Sequence, residues 1–101
     1  MIKGNIEIPQ NKILDFCRKW RIIEFSLFGS ALKGGFRLNS DVDVLVRFSD
    51  DARWSLFDFV QMQDELKEIF GREVDLVEEA GLRNPFRRHS ILRSKEVIYA
   101  A

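Results

Sequence analysis

Two aspartates, Asp41 and Asp43, open an apolar run and have the residue type and spacing of metal ligands. Alternate residues of a strand point to the same face, so both carboxylates share one face and the valines between and after them share the other. Two carboxylates one strand repeat apart repel each other unless a positive charge lies between them. Because carboxylate oxygens are the hard ligands that Mg²⁺ prefers, the pair predicts a magnesium site.

A Gly29-Ser30 turn precedes Asp41 by ten intervening residues and follows an apolar run that ends at Phe28. Backbone N–H groups and a hydroxyl can meet a phosphate at such a turn, since Gly29 has no side chain to block the approach. The turn therefore predicts a phosphate-binding site.

A third carboxylate, Asp75, lies on the non-core face of a short alternating segment. If its strand neighbours that of Asp43, three carboxylates converge on one patch, where two metal ions about 3.5–4 Å apart could bridge a triphosphate and an attacking oxygen. Asp41 and Asp43 would then hold both ions, and Asp75 would bind the ion nearest the attacking hydroxyl and help to deprotonate it. Each feature alone is an ordinary turn or strand residue, and only their joint spacing points to this chemistry.

Helix and strand signals predict the elements that must position these residues. In chain order they are a helix over 9–19, a strand over 22–28, a helical turn over 31–34, a loop over 36–40, a strand over 41–48, a helix over 55–70, a strand over 73–77, a helix over 82–93 interrupted or restarted at Pro85, and an apolar tail over 97–99. Ser55 with Asp58 resembles a capping box. One apolar helix face is predicted to contain Leu56, Phe59, Val60, Met62, Leu66, Ile69 and Phe70.

These elements predict an α/β (α+β) fold with a small mixed β-sheet and helices packed on it. The path between strands 22–28 and 41–48 is too short for a crossover helix, so these strands should be antiparallel. The direction of strand 73–77 stays open. The tail could extend a sheet edge or dock on the core, and the sheet is expected to be covered on one side only.

Length, charge and cysteine content limit the classes of function that the chain can have. A chain of 101 residues predicts one domain over 1–101, and 16 basic and 16 acidic residues cancel, which argues against strong nucleic-acid binding. Cys17 has no partner for an internal disulfide. No signal peptide and no apolar run of about 18 residues is visible, which predicts a cytoplasmic protein without membrane spans.

The combination of Gly29-Ser30, Asp41-Val-Asp43 and Val74-Asp75-Leu-Val, with the Arg83-Asn-Pro-Phe-Arg tail, resembles the minimal nucleotidyltransferases (MNT) of the DNA polymerase beta-like nucleotidyltransferase superfamily. The resemblance implies Mg²⁺-dependent transfer of AMP from ATP to a hydroxyl, with two ions on Asp41, Asp43 and Asp75. It also implies that Gly29 and Ser30 bind the triphosphate. Lys33 could meet a phosphate as a point charge, at a place where many members carry arginine.

The same resemblance implies a role as the antitoxin of a HEPN-domain toxin, in some cases by adenylylating a toxin tyrosine. A second hypothesis is a non-catalytic module that neutralises its partner by occlusion, and a third is transfer to an RNA end or an antibiotic. Self-association or a complex with the toxin would cover exposed apolar surface. The C-terminal basic group is open to three interpretations, a solvated helix face, a contact for an acidic partner, or a neighbour of the triphosphate: Arg83, Arg87, Arg88, Arg93 and Lys95.

Overall fold

The computed structural model describes residues 2–3, 6–29 and 41–101. The elements in chain order are β1 (Ile2–Lys3), β2 (Ile6–Glu7), α1 (Gln10–Lys19), β3 (Ile22–Phe28), β4 (Val42–Phe48), α2 (Leu56–Phe70), β5 (Val74–Glu78), a short 3-10 helix (Glu79–Gly81), α3 (Pro85–Ser94) and β6 (Glu96–Ala100). The predicted turn over 31–34 and loop over 36–40 lie outside the described residues.

The main sheet has four strands in the order β5-β4-β3-β6, and β1 and β2 form a separate antiparallel pair. β3 is antiparallel to β4, as predicted, and also to β6. β4 and β5 are parallel, which settles the direction that the sequence left open. The C-terminal tail extends the sheet edge beside β3. The predicted α+β class with a small mixed sheet is confirmed.

Local signals explain where the helices begin and end. The Ser55 hydroxyl accepts a hydrogen bond from the backbone of Asp58, and the Asp58 carboxylate accepts one from the backbone of Ser55, which confirms the capping box. Gly71 ends α2 in the left-handed conformation that glycine favours. α3 begins at Pro85 rather than at residue 82, because Asn84 caps it and proline fits the first helical position.

The main core lies between one face of the sheet and helices α1 and α2. The fully buried side chains at its centre include Phe25, Leu27, Val44, Met62 and Leu66. Cys17 is buried in the same cluster, and its burial raises the pKa of the thiol to about 12, so it remains a protonated core residue.

A second apolar cluster covers part of the opposite sheet face, so the expectation of a one-sided sheet is wrong. Phe28 and Leu45 pack there with Leu82, which follows the 3-10 helix, and with Ile91 of α3. Strand alternation accounts for this cluster, since Phe28 and Leu45 point away from the main core. The cluster holds α3 against the face on which the carboxylates lie.

The predicted apolar face of α2 is correct for its middle and wrong for its start. Met62 and Leu66 are buried, and Phe59, Ile69 and Phe70 pack partly against the core. Leu56 and Val60 are instead 79% and 53% exposed, next to Phe57 at 86%. At about 100° per residue these three side chains lie to one side of the buried stripe, so they form a separate exposed patch.

An ionic and aromatic network ties α1 to α2. Lys19 and the indole of Trp20 both donate to the Glu65 carboxylate, at 2.7 and 3.0 Å, and the Trp54 indole donates to the Trp20 carbonyl at 3.0 Å. Burial works to raise the pKa of Glu65, but hydrogen bonds from Lys19, Gln61 and Trp20 outweigh it and the pKa is lowered. Within the described residues, no helix is long and apolar enough to cross a membrane.

Candidate active site

A row of three residues crosses the sheet where β3 ends and β4 and β5 begin. Phe28 pairs with Asp43 in the antiparallel register, and Asp43 pairs with Asp75 in the parallel register. Neighbouring strands lie about 4.8 Å apart, and directly paired residues point to the same face. The structure therefore brings Asp43 and Asp75 side by side, Asp43 half-buried and Asp75 exposed.

Gly29 follows directly on this row and has a φ of +70°. A β-carbon at this position would collide with Oδ2 of Asp43 and lie 3.2 Å from its Cγ. Glycine is thus required twice, by the positive φ and by the close approach of the Asp43 carboxylate. The backbone at Gly29 therefore lies closer to the Asp43 carboxylate than any residue with a β-carbon would allow.

Asp41 lies one residue before β4 and is exposed. The strand begins at Val42, whose backbone N–H donates to the carbonyl of Glu73 at 2.9 Å. Among residues 2–3, 6–29 and 41–101, no group of three or more His, Cys, Asp and Glu side chains is arranged to hold a metal ion. The structure thus joins Asp43 and Asp75 by register, and does not gather Asp41 with them into a formed three-carboxylate set.

The donors present nevertheless fit Mg²⁺ in kind. Asp43 and Asp75 offer carboxylate oxygens from adjacent strands, and Gly29 has no side chain that would collide with Asp43. Two of the predicted phosphate-binding residues, Ser30 and Lys33, lie outside the described residues.

The strands that carry the carboxylates are anchored from behind. Val42 and Val44 flank Asp43, Val74 and Leu76 flank Asp75, and all four side chains are buried in the main core. A carboxylate on such a strand is held by the packing of its neighbours, which is the support that an active site needs.

The other end of β4 and β5 has different chemistry. Arg88 donates to the Glu79 carbonyl at 3.0 Å and lies 3.7 Å from its carboxylate, while Arg47 lies 4.0 Å from the second Glu79 oxygen. Lys95 pairs with Glu24 on β3. These contacts join α3 to the 3-10 helix and to β3.

An open pocket of about 370 Å³ lies at that same end, lined by Phe48, Trp54 and Glu78 among others. Phe48 and Glu78 are the last residues of β4 and β5, whereas Asp43 and Asp75 are each the second residue of their strands. The pocket is therefore separate from the carboxylate row.

Three features of the site were not predicted from the sequence. The Phe28–Asp43 pairing depends on the antiparallel register, which local patterns do not specify. The contact between Gly29 and Asp43 joins residues that are distant in the chain, and the glycine alone could signal only an unusual turn. The position of α3 over the carboxylate face had a weak signal, the alternation that leaves Phe28 and Leu45 pointing away from the main core.

The fold and the carboxylate row define a class of enzyme, and comparison with known families agrees. Residues 11–98 match the family described as "Nucleotidyltransferase domain", and the chain belongs to that family. It is an enzyme of the nucleotidyltransferase class, which confirms the resemblance found in the sequence.

Named relatives are similar over most of the chain. It is 33% identical over 81 residues to the protein adenylyltransferase MntA of Thermococcus cleftensis, covering 80% of this chain and 77% of that protein. A solved toxin–antitoxin complex with AMP-PNP has a chain of the same fold, with a TM-score of 0.75, 21% identity, and coverage of 93% of this chain and 75% of that one.

A second solved complex contains a tri-AMPylated HEPN toxin and MNT antitoxin of Shewanella oneidensis. The matched chain has a TM-score of 0.66 at 19% identity, with coverage of 91% of this chain and 70% of that one. At these identities the two solved complexes establish the shared fold.

Proposed function

We propose that this protein is a cytoplasmic adenylyltransferase that transfers AMP from ATP to a tyrosine hydroxyl of a partner HEPN toxin, and so acts as its antitoxin. The observation that carries the proposal is the parallel pairing of Asp43 with Asp75 beside Gly29. The named activity of the Thermococcus relative and the HEPN toxin in the Shewanella complex support the choice of reaction and partner.

In the proposed reaction, the acceptor oxygen forms a bond to the α-phosphorus of ATP. The bond between that phosphorus and the oxygen bridging to the β-phosphate breaks, and pyrophosphate leaves with the electron pair. Gly29 and Ser30 would bind the triphosphate, with Lys33 as an additional positive charge. Asp75, exposed on β5, would accept the hydroxyl proton.

Asp41, Asp43 and Asp75 would hold up to two Mg²⁺ ions. Bound Mg²⁺ supplies charge stabilisation to the phosphate oxygens in a displacement of this kind. Asp41 would need to turn toward the other two carboxylates when the ion and nucleotide bind. Exposure at the start of β4 leaves it free space in which to move.

The test is transfer of label from α-³²P-ATP to the co-purified HEPN partner in the presence of Mg²⁺. We expect labelled toxin with the wild-type protein and a loss of about a thousandfold or more with Asp43→Asn, since groups that stabilise transferring phosphoryl charge contribute on this scale. Asp64→Asn is the matched control, because Asp64 is exposed on α2, across the sheet from the site. Equal labelling by wild type and Asp43→Asn would contradict the proposal.

A second candidate function is neutralisation by occlusion, and the exposed patch on α2 favours it. Leu56, Phe57 and Val60 are adjacent apolar side chains that make little contact within the chain, as is common at protein interfaces. The Asp41→Asn/Asp43→Asn double variant separates the two functions. Protection of cells by that variant supports occlusion, whereas loss of protection with retained toxin binding supports catalysis.

A further inference from the structure

Positive charge is concentrated in one segment of a chain that is neutral as a whole. From Leu82 to Lys95 there are five basic residues and no acidic one, although the full chain has 16 of each sign. Most of this segment is α3, which lies on the same sheet face as the carboxylates.

Two of the five cations have partners within the fold. Arg88 contacts Glu79 and Lys95 contacts Glu24, so their charges are used to fix α3. Arg83, Arg87 and Arg93 are exposed and form no ion pair with another residue in the described parts of the chain. These three arginines leave α3 with a positive outer surface.

An aromatic side chain lies among these arginines. Phe86 is 86% exposed on the first turn of α3, between Arg83 and Arg87 in the chain. Guanidinium groups beside an exposed ring suit a protein segment with acidic and apolar side chains, because arginine and aromatic residues dominate protein–protein contacts. We call Arg83, Phe86, Arg87 and Arg93 the α3 surface.

The α3 surface belongs to the helix that packs on the same sheet face as the candidate active site. Ile91 of α3 belongs to the same cluster as Phe28, and Phe28 is the strand partner of Asp43. An acidic segment that approaches Asp43 and Asp75 is repelled by their carboxylates, and arginines on the neighbouring helix offset that repulsion.

We propose that the α3 surface binds an acidic, partly apolar segment of the acceptor protein whose hydroxyl receives AMP. This inference rests on the proposed function, since it names the kind of protein substrate. The zero net charge of the chain argues against a nucleic acid as the occupant. The triphosphate has its own proposed site at Gly29, which leaves α3 to the second substrate.

The experiment uses two tyrosine peptides of equal length, each with one phenylalanine, and with glutamates or lysines flanking the tyrosine. Binding to the full chain is measured by fluorescence anisotropy, and AMP transfer separately with α-³²P-ATP. The variant is Arg87→Glu/Arg93→Glu. Its matched control is Lys12→Glu/Arg18→Glu, which makes the same charge change at exposed positions of α1, across the sheet.

We expect the wild type and the control to bind the glutamate peptide more tightly than the lysine peptide. The α3 variant should bind the glutamate peptide roughly tenfold more weakly, because each exposed ion pair contributes up to about 1 kcal/mol and two are reversed. A variant that prefers the lysine peptide would support the proposal further.

Equal binding of both peptides by the wild type, or an equal loss in the control, would overturn the proposal. Tighter binding of a single-stranded RNA oligonucleotide than of the glutamate peptide would overturn it in favour of a general polyanion site. Self-association abolished only by the α3 variant would assign the surface to a second copy instead. If the peptides bind as expected but no acceptor protein is labelled, the proposal for the α3 surface is retained and the proposed function is wrong.

Discussion

The two faces of the sheet differ in what their residues do. On the α1–α2 face, the side chains of β3 and β4 are apolar and buried, as Phe25 and Val44 illustrate. On the α3 face, a small apolar cluster around Leu45 separates the Asp43–Asp75 row from the ion pairs of Glu79 and Lys95. Stability is concentrated on one face, which allows the other to hold carboxylates side by side despite their repulsion.

The largest expected effect on stability comes from removing a buried side chain from the main core on the α1–α2 face. Phe25→Ala removes a fully buried ring and should lower the free energy of unfolding by about 3–5 kcal/mol. Leu45→Ala removes a side chain from the smaller cluster and should lower the free energy of unfolding by about 2–3 kcal/mol, at the low end of the range for a buried leucine. Urea denaturation measures both variants. A larger loss for Leu45→Ala would reverse the assignment of the two faces.

A smaller effect on stability, with a larger one on activity, is expected at Gly29. Gly29→Ala places a residue with a β-carbon at a positive φ, which costs about 1 kcal/mol or more, and its β-carbon displaces the Asp43 carboxylate. A shift of about 1 Å at a reacting group can reduce the rate about a hundredfold. Label transfer and urea denaturation measure the two effects.

Gly71→Ala provides the control for backbone strain. Gly71 has a φ of +67° and no atom within 4 Å of an added β-carbon. The Gly71→Ala variant should therefore lose about as much stability as Gly29→Ala while keeping its activity. Comparable losses of activity in both variants would show that strain, rather than displacement of Asp43, limits Gly29→Ala.

The helices and strands could be predicted from the sequence because their signals depend on residues that are close together in the chain. The capping box of Ser55 and Asp58 marks the start of α2, and Gly71 marks its end. Alternation of apolar and polar residues indicated β3 and β4. Asp43 and Asp75 could be proposed as a pair from the sequence because each lies on the polar face of its strand.

What the sequence left open depends on long-range packing. The parallel register of β4 and β5 and the collision at Gly29 join residues far apart in the chain. Leu56 and Val60 were assigned to a core face because helical spacing cannot tell where the covering sheet stops. Likewise, only tertiary contacts separate Arg88 and Lys95, which are paired, from the arginines of the α3 surface.

The smallest expected effect concerns the contact between α1 and α2, whose contribution to stability changes at low pH. The folded-state pKa of Glu65 lies below its ordinary value of 4.5, so the unfolded chain takes up the proton more readily. The stability that Glu65 contributes is therefore present above pH 4.5 and is lost as the pH falls through the folded-state pKa. Glu65→Gln should flatten the dependence of unfolding free energy on pH in this acidic range.

Glu68→Gln is the matched control, because Glu68 is an exposed glutamate on the same helix. Urea denaturation between pH 3 and 6 should show a smaller change in slope for this variant than for Glu65→Gln. Identical pH profiles for wild type and Glu65→Gln would contradict the role assigned to the Lys19–Glu65–Trp20 network.

The proposed function requires that Asp43 and Asp75 hold the divalent ion beside the nucleotide. The most direct measurement is a crystal structure with Mn²⁺ and a non-hydrolysable ATP analogue, with the metal located by its anomalous scattering. We predict a peak within about 2.0–2.3 Å of a carboxylate oxygen of Asp43, with Asp75 in the same coordination sphere or that of a second ion. Nucleotide bound with its metal remote from both aspartates would contradict the metal-binding role proposed for Asp43 and Asp75.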